Sequence, residues 1–332
     1  MENTGYKGKI LFMANWQNSV PEVCRKAAER VEAAGYQADF HPNPIPYSAE
    51  ELGPMLKGYV AAVIGGQHVE KVALDQADCL KVIARNGAGF DNIDIAECTK
   101  RGIVVSGCFG ASSIGVAEIA LGLMMNVSLG INQGRQCILE DRWFDRIKFP
   151  SVSLYGKTVG IVGIGFTGKA VADRCKALGM KVIYFDVRRN EEAEAEGMEY
   201  RELDQLICEA DYVSLHCALN EHTYHMIDER RLKMMKPTAY LINTSRGGTV
   251  DEDALLKALK EGEIAGAGLD VFEPEPTKNF ELCGLPNVVA TPHMAGIQDT
   301  AKAMMMEMTV DHLLDSLAGK KPEFCHNPEL FD

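Results

Sequence analysis

Residues 158–186, TVGIVGIGFTGKAVADRCKALGMKVIYFD, restrict the fold more than any other part of the chain. An apolar run (159–162) enters a turn carrying Gly163, Gly165 and Gly168, and a second apolar run (182–185) stops at Asp186. With the short amphipathic segment between them, these predict strand, glycine turn, helix, strand and acid, the start of a doubly wound nucleotide-binding sheet. Gly163 permits the tight turn, Gly165 leaves room for a pyrophosphate against bare backbone, and Gly168 lets the helix pack close to the strand. The helix N-terminus offers N–H groups and the positive end of its dipole to phosphates. Asp186, 18 residues after Gly168, can accept hydrogen bonds from an adenosine ribose. Glycines also serve ordinary turns, so the motif's weight comes from the strand before it and the acid after it.

A chain of 332 residues is long for one hydrophobic core, so two domains are expected. The net charge of −13 argues against nucleic-acid or anionic-membrane partners, and any anionic substrate must meet locally concentrated positive charge. Ten scattered cysteines without a CxxC pair fit free thiols in a reducing, cytoplasmic compartment, and no metal-ligating set is expected. The N-terminal MENTGYKGKI lacks a signal-peptide profile, and no window reaches the ~18 uninterrupted apolar residues of a membrane helix.

Short apolar runs at 10–13, 38–40, 60–64 and 80–84 read as strands, with helical spacing at 21–34, 50–56 and 69–77 between them. That alternation predicts a parallel sheet wrapped by helices. Residues 85–94, RNGAGFDNID, leave the 80–84 strand as a glycine-rich loop, either a ligand loop at a strand's carboxyl end or a plain turn. Residues 113–140 read as one long helix whose apolar residues spread around its circumference, implying burial on more than one side. Residues 141–154, with Trp143, Phe144 and Pro150, read as irregular. The alternation resumes after Asp186, with strands at 212–216, 240–243, 267–271 and 288–290 and helices at 228–235 and 251–260. The glutamate-rich 191–196 reads as a solvated helix face, and 300–317 as one amphipathic helix whose methionines fill core.

Three strand ends carry reactive groups: Arg246 in NTSRGG, Glu275 in DVFEPEP and His293 in TPHMAG. An arginine fork can hold a carboxylate, a histidine can give or take a hydroxyl proton near neutral pH, and a neighbouring carboxylate favours its charged form. Hydride transfer to or from a 2-hydroxy acid needs all three functions. Singly, each residue has a plain structural reading, a surface ion pair or a satisfied histidine.

The segments NGAGFDNID, VGIVGIGFTGK, LINTSRGGTVDEDAL, AGAGLDVFEPEP and PNVVATPHMAG resemble, in order, the D-isomer-specific 2-hydroxyacid dehydrogenases over nearly the whole chain. The resemblance implies two doubly wound parallel-sheet domains: a Rossmann NAD-binding domain (107–298) inserted in a flavodoxin-like substrate domain (1–106 and 299–332). It implies that Arg246 binds the substrate carboxylate and that Glu275, three residues after Phe272, pairs with His293, with Glu273 the rival. It implies cofactor contacts from Gly163, Gly165, Phe166, Thr167, Gly168, Asp186, His216, Thr244 and Asp270, with Asp270 accepting from the nicotinamide amide. Asn86, Gly87, Ala88 and Gly89 are implied as substrate-carboxylate donors, and the apolar helix after Ser113 as part of a homodimer interface. Two departures bear on specificity: Ala218 replaces the usual proline beyond His216, which would loosen a cofactor loop, and Gly296-Ile297-Gln298 replaces a common hydroxyl. Asp186 favours NAD over NADP, although Arg188 and Arg189 could attract a 2′-phosphate. The alternative from another class is a dinucleotide-sensing corepressor built on the same fold.

Overall fold

The structure is a computed structural model that describes residues 5–42, 47–149 and 151–332. The chain forms two compact units, one running to Ser112 and resumed by Ile297–Asp332, the other spanning Ser113–Gly296.

The first unit contains β1 (Lys9–Phe12), α1 (Pro21–Ala33), β2 (Gln37–Phe40), α2 (Ala49–Met55), β3 (Ala61–Ile64), α3 (Lys71–Leu74), β4 (Val82–Arg85), α4 (Ile95–Lys100) and β5 (Val104–Ser106). All strands are parallel, in the flavodoxin-like order β2-β1-β3-β4-β5. Side chains alternate across a strand, so β1 feeds two cores: Ile10 and Phe12 pack on one face, Leu11 and Met13 on the other. Burial on both faces is why β1 reads as an unbroken apolar run instead of an alternating one. The terminal helix, Asp299–Leu317, covers the Ile10–Phe12 face with Met306, Val310 and Leu313.

The second unit opens with α5 (Ser113–Leu129), α6 (Ile131–Leu139) and a 3-10 turn (Trp143–Ile147). It continues through β6 (Thr158–Val162), α7 (Phe166–Ala177), β7 (Lys181–Phe185), α8 (Glu191–Ala195), β8 (Glu199–Tyr200), α9 (Leu203–Glu209) and β9 (Tyr212–Leu215). Then come α10 (Glu229–Met234), β10 (Tyr240–Asn243), α11 (Glu252–Glu261), β11 (Gly266–Leu269), α12 (Phe280–Cys283) and β12 (Val288–Ala290). The seven parallel strands run β12-β11-β10-β9-β6-β7-β8, a Rossmann order with its switch point between β6 and β9. The terminal helix is α13.

Several expectations need correction. Residues 113–140 are two helices that bend by 59° at Gly130, whose left-handed φ of 69° ends one and caps the next. No single helix among the described residues is long and apolar enough to cross a membrane. The 69–77 helix shrinks to α3, and β5, α4, β8, α9 and α12 were not anticipated. The irregular 141–154 holds the 3-10 turn, while Pro150 lies outside the described residues. Of the α13 methionines, Met305 and Met306 are core, but Met304 is exposed. The first unit runs to Ser112, six residues past the expected boundary, because Cys108 and Ala111 pack against Ala301 and Met305 of α13.

Candidate active site

Gly163, His216, Thr244, Asp270 and Thr291 each lie within one or two residues of the carboxyl end of β6, β9, β10, β11 or β12, the edge where doubly wound sheets bind ligands. At the first of these ends, Gly163 adopts φ +94°. A Cβ on Gly168 would overlap the Gly163 carbonyl, so only glycine lets α7 start this close to β6. Gly165 faces open space beside the first turn of α7, while Phe166 is exposed and the Thr167 hydroxyl lies 3.3 Å from that of Ser113. Asp186, just past β7, accepts the Ile164 N–H at 2.8 Å through Oδ2, so its carboxylate braces the glycine turn.

These residues fit a dinucleotide, and two orphaned polar atoms support the fit. Among the described residues Thr244 Oγ1 and His216 Nδ1 are buried without a partner, a situation that costs about 1–3 kcal/mol unless something satisfies it. Burial pushes the His216 imidazole down to about 3, and its Nε2 contacts Ser214 Oγ at 2.8 Å. In the loop after His216, the Ala218 carbonyl accepts the Thr223 hydroxyl at 2.7 Å.

Arg246 is the residue from which the 3-10 turn Gly247–Thr249 starts. Its carbonyl accepts from Asn243 Nδ2 (2.9 Å) and Thr249 Oγ1 (2.7 Å), and its guanidinium Nη1 donates to the Ser245 carbonyl at 2.8 Å. A Cβ on Gly247 would overlap the backbone of Phe272, so the SRGG glycine lets the arginine turn press against the segment leading to Glu275. Glu275 Oε1 accepts the Phe272 N–H at 3.1 Å, and Oε2 lies 2.6 Å from His293 Nδ1. Burial pushes the Glu275 carboxyl up, but the His293 hydrogen bond and charge, the Phe272 N–H and the charge of Arg246 together hold it below its usual value. The three chemistry-bearing residues are therefore brought together within the second unit. Glu273 goes elsewhere, with its Oε2 3.6 Å from His225 Nε2.

Asp270 is fully buried, and both carboxylate oxygens are engaged. Oδ1 accepts from Thr291 Oγ1 (2.6 Å) and the Met294 N–H (2.9 Å), and Oδ2 from the Ala295 N–H (2.9 Å). Sequence reasoning overlooked Thr291, whose position beside the PH pair was its only signal.

In the first unit, Asn86 and Gly87 turn inward. Asn86 is buried with Oδ1 unpartnered among the described residues, and the Gly87 N–H is taken by the Arg85 carbonyl (3.0 Å) and Cys108 Sγ (2.9 Å). Arg85, also missed from sequence, girdles the loop by donating to the carbonyls of Gly89 (3.0 Å) and Asn86 (2.8 Å). Among the described residues the Ala88 and Gly89 N–H groups have no partner.

A Rossmann sheet with an acid-tipped second strand, combined with an arginine and a histidine–carboxylate pair, defines a dinucleotide-linked oxidoreductase. The family model "D-isomer specific 2-hydroxyacid dehydrogenase, NAD binding domain" matches residues 121–295, and the chain belongs to that family. It is 46% identical over 261 residues to a glyoxylate reductase of Thermococcus litoralis, covering 76% of this chain and 79% of that one. It is 39% identical over 277 residues to a D-3-phosphoglycerate dehydrogenase of Methanocaldococcus jannaschii, covering 82% and 53%. The D-lactate dehydrogenase of Aquifex aeolicus, solved with NAD and lactic acid, superposes with a TM-score of 0.80 at 27% identity, covering 94% and 96%. The chain is thus an NAD-linked oxidoreductase of hydroxy and oxo acids.

Proposed function

We propose that this protein reduces a small 2-oxo acid, glyoxylate first among them, to its 2-hydroxy acid. The reading is carried by the 2.6 Å contact between His293 Nδ1 and Glu275 Oε2, with the Arg246 charge helping to keep that carboxylate ionised. NADH supplies the hydride. As charge builds on the carbonyl oxygen, protonated His293 donates to it; Nδ1 is committed to Glu275, so Nε2 gives the proton. Arg246 holds the substrate carboxylate. Glyoxylate rests on the likeness to the Thermococcus litoralis enzyme.

NAD is favoured over NADP because Asp186 would repel a 2′-phosphate and Arg189 is forked onto Glu194 with two contacts of 2.8 Å. A homodimer is favoured by the exposed apolar residues Ile131, Ile138, Leu139, Trp143, Phe144 and Ile147. The ten unpaired cysteines suit the reducing cytoplasm.

The test is NADH oxidation with glyoxylate, pyruvate and hydroxypyruvate, comparing parent, His293→Ala and Glu275→Gln. His293→Ala should lower kcat by roughly 10²- to 10⁴-fold while NADH still binds. Glu275→Gln should move the basic limb of the reductive pH profile to lower pH, since an ionised carboxylate favours the protonated pair. No turnover of any of the three acids by the parent would overturn the assignment, and an unchanged basic limb would remove Glu275 from it.

A further inference from the structure

The segment after Asp186 carries two arginines, and a guanidinium fork is well shaped to hold a phosphate. Arg189 is kept from that use by a chain of contacts that starts in the core. Tyr184, in β7, is fully buried, and its hydroxyl accepts the Asn190 N–H at 2.9 Å. The same hydroxyl donates to Glu194 Oε1 at 2.9 Å. Asn190 Oδ1 accepts the Ala193 N–H at 3.0 Å and so caps α8, the short helix on which Glu194 sits. Glu194 then grips Arg189: Nε donates to Oε1 and Nη2 to Oε2, both at 2.8 Å. The guanidinium carbon lies over the Tyr200 ring, 5.2 Å from its centroid. Two parallel bonds to one carboxylate fix both the direction and the plane of the guanidinium, and the pair carries no net charge. The Arg189 fork and the Tyr184 hydroxyl hold the Glu194 carboxyl below its usual value, so it stays ionised at neutral pH. A 2′-phosphate beside Asp186 would therefore meet a carboxylate without the Arg189 charge to offset it.

We infer that Glu194 is a specificity-determining residue for the cofactor: by holding Arg189 it withholds from NADPH the guanidinium that would otherwise answer the 2′-phosphate. It acts from α8, outside the glycine turn and the acid that mark the dinucleotide site in the sequence. The inference rests on the proposed preference for NAD. The Arg189 side chain is 65% exposed, so a guanidinium released from Glu194 has room to turn.

The experiment measures NADH and NADPH dissociation constants by fluorescence titration of the parent, Glu194→Gln, Arg189→Ala and the double variant. Glutamine keeps the shape of the side chain and an acceptor for Tyr184, but with one acceptor oxygen and no charge it cannot hold both arms of the guanidinium. Glu194→Gln should lower the NADPH Kd about 3- to 10-fold and leave the NADH Kd within about twofold. Arg189→Ala alone should leave both constants within about twofold, because Glu194 already engages that charge. In the double variant the gain for NADPH should disappear, which identifies Arg189 as its source. Tyr184→Phe, close to isosteric in the core, removes the brace on Glu194 and should give a smaller gain for NADPH; it takes the place of Glu194→Gln if that variant does not fold. An NADPH Kd unchanged by release of Arg189 would overturn the inference. Weakened NADPH binding in Arg189→Ala alone would overturn it as well, since the guanidinium would then already reach the phosphate in the parent. The preference for NAD fails separately, if the parent binds NADPH more tightly than NADH.

Discussion

Asp186 shows how one side chain can serve both fold and ligand. Oδ2 is held by the Ile164 N–H, which fixes the turn and the carboxylate together, and among the described residues Oδ1 has no partner. A ribose hydroxyl donating to that oxygen makes a charge-assisted hydrogen bond, the kind that contributes about 1.5–3 kcal/mol. Asp186→Ala should therefore weaken NADH binding by roughly 10- to 100-fold and bring NADPH closer to it, read as two dissociation constants. A parent that already binds NADPH more tightly would defeat this account. At this scale the sequence was a good guide wherever a residue type has one common use beside a strand, as with the three glycines and Asp186. Arg246, Glu275 and His293 could be placed in one site by their motifs alone. What could not be read was where a polar group spends its hydrogen bonds. The Gly87 N–H is spent on Cys108 and the Asp270 carboxylate on its own neighbouring loop, and such choices depend on chain segments 20 or more residues away.

The helices and strands that were legible are those with a strong local signal. β6, β7, β10 and β12 are apolar runs ended by glycine or a polar residue, and α11 has both an Asp251 N-cap and Gly262 in the left-handed C-cap position. β5 has only three residues, and α4 and α9 are short, with tertiary packing supplying what their sequences lack. The break at Gly130 was hidden because α5 is apolar all round and α6 continues with apolar residues. That break has a consequence for assembly. It separates a buried helix, whose Ala117, Ala120, Leu123 and Met124 face the β6–β11 core, from an amphipathic one that leaves Ile138 and Leu139 exposed. Ile147, in the turn that follows, is 83% exposed, more than an isolated surface isoleucine should be when others lie close in sequence. Parent protein should sediment as a dimer, and the double substitution Ile138→Asp, Ile147→Asp should shift it toward monomer by burying two charges in an apolar interface. A parent that runs as a monomer at micromolar concentration would show that this face has no second copy on it.

At the scale of the whole molecule, each unit holds a histidine whose protonated form burial disfavours. In the second it is His216, pushed down to about 3, with Nδ1 sealed and unpartnered. In the first it is His326, also pushed down by burial, with Nε2 unpartnered and its ring 3.5 Å from that of Phe90 between centroids. A histidine in the unfolded chain titrates near about 6.5. Because the folded values lie lower, acid protonates the unfolded chain first. The stability these groups leave intact is full above about pH 6.5 and declines as pH falls toward the folded values. Carboxylates with lowered values, such as Glu275 and Asp204, titrate below this range and add their own losses only in stronger acid. Between about pH 6.5 and about pH 5 the slope should therefore belong to the two histidines, with His216 contributing up to about 1.4 kcal/mol per pH unit. The check is urea unfolding without cofactor at about pH 7 and about pH 5, fitted for each unit because two domains need not unfold together. His216→Asn has no proton to gain, so it should flatten the pH response of the second unit and leave that of the first unchanged. Equal steepness in parent and variant would mean that the buried imidazole is protonated in place or exposed on acidification, and the pH window would then need another owner.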